Sequence, residues 1–199
     1  MGKIFYIIGK SATGKDTIYN KILEQQIPNL EKLVIYTTRP QREGETNGKE
    51  YFFTDLKGLN EMRKKGVIIE ERTYHTVLGD WTYFTADDGQ LELDTTDYLG
   101  IGTLESYEKM ISWFGTDKVV PIYIELEDGI RLSRALGREQ QQKTPHYAEM
   151  CRRFLADAED FSEEKLLKAG IVKRFENMDA DQTAGEIVNY IREASGRVE

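Results

Sequence analysis

Between an apolar run, Lys3–Ile8, and a helical pattern, Asp16–Gln26, lies the stretch Gly9-Lys10-Ser11-Ala12-Thr13-Gly14-Lys15. Its residue types suit the gripping of phosphate. Glycine is needed where the backbone turns sharply and where a side chain would block a ligand, and Gly9 and Gly14 supply both positions. Successive N–H groups then point into a concavity, the following helix presents its positive end, and Lys15 reaches the β and γ oxygens of a nucleoside triphosphate. On this reading Gly9, Lys10, Ser11, Ala12, Thr13, Gly14, Lys15, Asp16 and Thr17 form a donor site for ATP. The usual ending is Gly-Lys-Ser/Thr, whereas here Asp16 follows Lys15 and Thr17 comes one position later. A carboxylate is a hard oxygen ligand for Mg²⁺, directly or through water, so Asp16 is the metal candidate. The alternative is that Asp16 caps the helix.

A second basic cluster follows in Thr37-Thr38-Arg39-Pro40-Gln41-Arg42-Glu43-Gly44-Glu45-Thr46-Asn47-Gly48-Lys49-Glu50-Tyr51. It begins where the second strand should end, the sheet edge at which open α/β folds bind ligands. Arg39 and Arg42, with the Tyr51 hydroxyl downstream, can clamp a second phosphate through forked donors. Two phosphate sites in one chain point to phosphoryl transfer onto a small phosphorylated acceptor. Such a reaction needs alignment and charge neutralisation more than a general base, so His75 and His146 are not catalytic candidates.

The elements that must hold these residues read as alternating strands and helices. Strand-like runs fall at 3–8, 32–36, 97–102, 118–125 and 172–176, mostly followed by helical patterns. That rhythm predicts an α/β fold of three layers, with a central parallel sheet between helices. The interval 37–95 breaks it with strand candidates at 50–54, 67–74 and 81–85 and a helix near 55–65. It reads as an inserted β-rich acceptor-binding domain on a core of 1–36 and 96–199. From Asp128 to Gly170 the pattern is helical, and Pro145 ends or restarts a helix inside it, which predicts a helical lid at about 134–152.

Composition narrows the class. The 199 residues suit one domain, or one core with appended flaps, and 39% hydrophobic with 31% charged residues is ordinary for a globular protein. A net charge of −8 argues against sequence-independent nucleic-acid binding, which needs clustered Lys and Arg. No apolar run approaches the ~20 residues of a membrane span. The lone Cys151 has no disulfide partner in the chain and no metal-ligand neighbours, so a cytoplasmic location is expected. Oligomeric state is open.

The run Thr37–Tyr51 resembles the acceptor-phosphate loop of the guanylate kinase family. The likeness extends to Gly9–Lys15, to Ile68-Ile69-Glu70, to Arg134-Ala135-Leu136-Gly137-Arg138 and to Arg153-Phe154-Leu155-Ala156-Asp157-Ala158-Glu159. It implies a P-loop kinase fold using ATP and Mg²⁺ on a nucleoside monophosphate, with GMP first. By position it implies that Arg39, Arg42, Tyr51 and Tyr83 hold the acceptor phosphate and that Glu70 approaches the base. It also implies that Arg134, Arg138 and Arg153 close on the ATP phosphates and that Asn177 lies near the adenine.

Two guanine-reading positions depart from the family: Ile35 replaces a hydroxyl, and Gly102-Thr103 replaces an acid. Kinases of ribose 1,5-bisphosphate, a related branch, resemble this chain in the Gly-Lys-Asp ending and the missing acid, which makes that sugar the second acceptor. Guanylate-kinase-like modules that bind phosphopeptides lack an intact phosphate loop, whereas Gly9, Gly14 and Lys15 are all present here.

Overall fold

The computed structural model describes residues 1–76 and 79–196. Strand β1 (Ile4–Ile8) is buried along its whole length, as a strand covered on both faces must be. Its side chains alternate between two cores. Ile4, Tyr6 and Ile8 join one cluster with Leu104, Tyr107 and Met110. Phe5 and Ile7 join the other with Ile18, Ile22, Ile187 and Ile191.

Five strands form the central sheet in the order β2 (Leu30–Lys32), β7 (Asp97–Ile101), β1, β8 (Val119–Glu125), β9 (Arg174–Glu176). All of its pairings are parallel. Helices α1 (Lys15–Glu24) and α7 (Ala180–Ala194) cover one face and α3 (Leu104–Phe114) the other, giving the expected three layers. A Thr103–Ser106 capping box starts α3 just beyond β7 and holds the chain tightly at the strand's carboxyl end. Ile22 is fully buried between the sheet and α7, so its truncation to Ala should cost about 2–5 kcal/mol.

The second sheet has the order β4 (Phe52–Phe53), β3 (Tyr36–Thr37), β6 (Gly79–Ala86), β5 (Ile68–Thr76), and α2 (Leu56–Lys65) packs beside it. One expectation needs correction: 32–36 is not a single strand. Lys32 pairs with Leu99 in the central sheet, whereas Tyr36 pairs with Phe84 in the second. Leu33 is buried in the first core, while the Tyr36 ring stacks on Phe52 at 4.9 Å and Phe84 at 5.1 Å. A straight strand cannot serve both cores, so the chain turns between them.

Helices α4 (Asp128–Gln140) and α5 (Tyr147–Asp160) are separated by residues 141–146, where Pro145 interrupts the helical pattern. A short α6 (Glu163–Lys168) follows. Among the described residues no helix is long and apolar enough to cross a membrane.

Candidate active site

The loop between β1 and α1 is shaped by its neighbours as much as by its glycines. A Cβ at Gly9 would lie 2.6 Å from the Ile124 carbonyl on β8. Gly14 has φ 87°, and a Cβ there would meet the Asn177 amide nitrogen at 2.4 Å. Ala12 also takes positive φ, at 63°. That same Asn177 nitrogen donates to the Thr13 carbonyl at 2.7 Å, and the Thr13 hydroxyl donates to the Lys10 carbonyl at 2.9 Å. Asn177 is therefore a buried brace beneath the loop, and the amides of Ala12 and Gly14 carry no hydrogen bond among the described residues.

Above the loop stands a network that the sequence reading missed. The Ser11 N–H donates to Asp157 Oδ2 at 2.8 Å. Arg131 holds that carboxylate at 3.0 Å and donates to the Ser11 carbonyl at 3.2 Å. Its guanidinium lies 4.1 Å over the Phe154 ring, and the residue is 1% exposed. Asp157 belongs to the Arg153–Glu159 run noted above. Arg131 could have been found as the one arginine of α4 on its buried stripe, beside Ala135. An anion already bonded to a loop amide agrees with a concavity built for phosphate oxygens.

The other basic residues singled out near the loop take different places. Arg134 donates to the Asn177 carbonyl at 3.2 Å and, with Arg138, Ala12, Gly14 and Thr17, lines a cavity of about 310 Å³. Arg153 stands apart from it, 53% exposed and paired with Glu149 at 3.2 Å. Lys10 reaches Asp128 at 3.6 Å. Lys15 lines a cleft of about 450 Å³ with Gly9, Ser11, Arg72, Gly102 and Glu105.

Asp16 is 83% exposed with Lys15 Nζ 3.9 Å away, and the helix cap position is taken by Gly14, so the capping alternative is not realised. Among the described residues no group of three or more His, Cys, Asp or Glu gathers as a metal cage. A lone carboxylate beside a triphosphate loop still fits Mg²⁺, which is held by one or two carboxylates plus substrate phosphates and keeps its waters.

On one face of the antiparallel pair β5/β6, alternate residues stand in register: Glu70 opposite Thr85, Arg72 opposite Tyr83, Tyr74 opposite Trp81. Arg72, Tyr74, Trp81 and Tyr83, with Tyr51 and Ile35, line a pocket of about 420 Å³. Tyr51 and Tyr83 thus stand together on one pocket, their rings 5.6 Å apart. Arg39 does not line the pocket. Its guanidinium is 4% exposed, forks onto Glu45 at 2.7 and 3.0 Å, and lies 5.3 Å over the Tyr51 ring. The Arg39 side chain and the Arg42 N–H hold the Glu45 carboxyl below its usual range. Arg42 itself is exposed.

Glu70 does not line the pocket either. Its side chain is 1% exposed, one oxygen accepts from the Thr85 hydroxyl at 2.9 Å and the other from Arg72 Nε at 3.1 Å. Where the resemblance leads one to expect an acid, a Cβ on Gly102 would lie 2.3 Å from the Tyr6 hydroxyl and 2.4 Å from Ser106 Oγ. Tyr6 donates to Ser106 at 3.0 Å, and burial, with the Glu70 carboxylate nearby, pushes its pKa up to about 12. A neutral phenol from β1 thus fills the space that a side chain at position 102 would need.

The family model for guanylate kinase matches residues 1–82. That stretch holds the phosphate loop, Arg39–Tyr51 and Glu70, but not helices α4 and α5 or Asn177. The guanylate kinase of Anaplasma phagocytophilum is 41% identical over 70 residues, 35% of this chain and 33% of that protein. That of Syntrophomonas wolfei is 34% identical over 113 residues, 56% of this chain and 57% of that one. The matches to the first such curated relatives span only about a third of those proteins' lengths. A crystal structure of guanylate kinase from Anaplasma phagocytophilum shares the fold, with TM-score 0.66 at 23% identity over 98% of this chain and 86% of that one. With the phosphate loop, the Thr37–Tyr51 loop and the two sheets arranged as described, the chain shares the fold of that guanylate kinase, and its first 82 residues match the guanylate kinase family model.

Proposed function

We propose that the protein transfers the γ-phosphoryl group of ATP to a nucleoside monophosphate, with GMP the first candidate. The observation that carries this reading is Arg72, which lines both the cleft containing Lys15 and the aromatic pocket containing Tyr51 and Tyr83. Donor and acceptor phosphates held in those two spaces would approach each other without crossing solvent, which is what in-line transfer needs.

In this scheme Lys15 and the loop amides hold the donor, and Arg134 and Arg138 approach it from α4. Tyr51 and Tyr83 bind the acceptor phosphate, with Arg42 free to swing in and Arg39 releasing part of its fork from Glu45 to join them. Arg153, free to leave its exposed pair with Glu149, joins the lid arginines on closure. Mg²⁺, near Asp16, would neutralise charge between the phosphates. Asn177 keeps the loop's shape beside the nucleotide. We assign residues 37–95 to acceptor binding, about 134–152 to the lid, and the reaction to the cytoplasm.

A second reading, ribose 1,5-bisphosphate as acceptor, is favoured by Ile35 and by the closed space at Gly102. The aromatic walls of Tyr74 and Trp81 favour a flat base instead. A coupled ADP-release screen over GMP, dGMP, other nucleoside monophosphates and ribose 1,5-bisphosphate separates them. Turnover with no acceptor above the ATP-only background, or equal turnover by Lys15→Ala, would overturn the kinase reading.

A further inference from the structure

We propose that Arg72, not Glu70, reads the acceptor base, and that it reads the 6-oxo/N7 edge of a purine while the 2-amino group goes unread. This rests on the nucleoside monophosphate reading above. The carboxylate that could pair with ring N–H donors is turned away: Glu70 is buried, with both oxygens engaged by Thr85 and Arg72. The second acidic position is Gly102, and the Tyr6 hydroxyl takes up the room that any side chain there would need. The pocket wall therefore offers no carboxylate: its lining is Ile35, Tyr51, Arg72, Tyr74, Trp81 and Tyr83.

What it offers instead is a forked donor. Arg72 is tied to Glu70 through Nε, and its two terminal nitrogens carry no hydrogen bond among the described residues. Glu70, fixed from behind by Thr85, aims the fork. Two parallel N–H groups match a pair of adjacent acceptors, as on guanine or hypoxanthine, whose O6 and N7 lie side by side. Adenine presents an N6 amino donor at the first of these positions and is repelled by the fork. Trp81 and Tyr74, opposite each other on the same hairpin face, supply flat apolar walls for the ring.

The test measures kcat/KM for GMP, IMP and AMP with ATP, in the wild type and in Arg72→Met. A bidentate contact to a base is worth a factor of about 5 to 150 in discrimination. IMP, which lacks only the 2-amino group, should work within about fivefold of GMP, whereas AMP should be about tenfold or more worse. Arg72→Met should collapse the GMP/AMP ratio toward unity. A site hydrogen-bonded to the 2-amino group would reject IMP by orders of magnitude, and a GMP/IMP ratio above about 100 in the wild type alone would overturn the proposal. So would an Arg72→Met enzyme that loses rate equally on all three substrates, since Arg72 would then serve the phosphoryl group. If the wild type phosphorylates none of them, the nucleotide kinase reading itself fails. Turnover with the wrong ratios sinks only the role of Arg72.

Discussion

Gly14→Ala should damage this protein for two separable reasons. The φ of 87° at Gly14 is a left-handed conformation, which costs an L side chain about 1–2 kcal/mol. The new methyl would also lie 2.4 Å from the Asn177 amide nitrogen, displacing the donor that satisfies the Thr13 carbonyl at 2.7 Å. Leaving that buried carbonyl unpaired costs a further ~1–3 kcal/mol. The expected loss is therefore about 2–5 kcal/mol, read by urea denaturation with Trp81 and Trp113 fluorescence as the probe. In an Asn177→Ala background the amide is already gone, so only the backbone share, about 1–2 kcal/mol, should remain. A coupling of about 1–3 kcal/mol across the double-mutant cycle is the signature. If the two substitutions were additive within about 0.5 kcal/mol, Asn177 would not be the brace described here.

Three further outcomes follow from the same geometry. Arg131→Met should lower stability by about 3–5 kcal/mol, because it removes the cation that faces Asp157 and the donor to the Ser11 carbonyl; thermal unfolding that is unchanged would refute the network. The Arg39–Glu45 pair depresses the Glu45 pKa in the folded state, so its contribution is full above the unfolded value of about 4.3 and fades as pH falls through the lower folded value. Stability measured from pH 7 to pH 3 should therefore fall less steeply at the acid end for Glu45→Gln than for the wild type. Gly102→Asp should be destabilising by about 1–3 kcal/mol or more through overlap with Tyr6 and Ser106, and adding Tyr6→Ala should recover part of that; equal melting temperatures for the single and double variants would contradict the packing.

The phosphate-type loop was legible in the sequence because its pattern is local. Gly9, Gly14 and Lys15 sit within one loop between a strand and a helix, and short-range pattern carries the whole signal. The central strands were readable for a similar reason, since unbroken apolar runs such as Ile4–Ile8 occur where both faces are covered. The aromatic pocket beside β5 and β6 depends on contacts between distant segments. Arg72 in Glu-Glu-Arg-Thr-Tyr-His looks like solvated charge until the hairpin register sets it against Tyr83, and Glu70 looks available until Thr85 and Arg72 enclose it. Arg39 and Glu45 were both visible, but not that one would sequester the other. Tyr6 reads as one more core residue, and only its nearness to Gly102 shows that it takes the room of a side chain there. The division of 32–36 was hidden because apolar alternation does not say which of two sheets a strand joins.

The central claim, phosphoryl transfer from the loop to a neighbouring phosphate, is met most directly by following ³¹P signals of ATP and GMP in one tube with the full-length protein and Mg²⁺. The account predicts ADP and GDP appearing in equal amounts, and neither above background with Lys15→Ala, whose side chain has, among the described residues, no ion-pair partner nearer than Asp16 at 3.9 Å and can be removed without unfolding the chain. ADP and free phosphate without GDP, or products formed equally by Lys15→Ala, would contradict it.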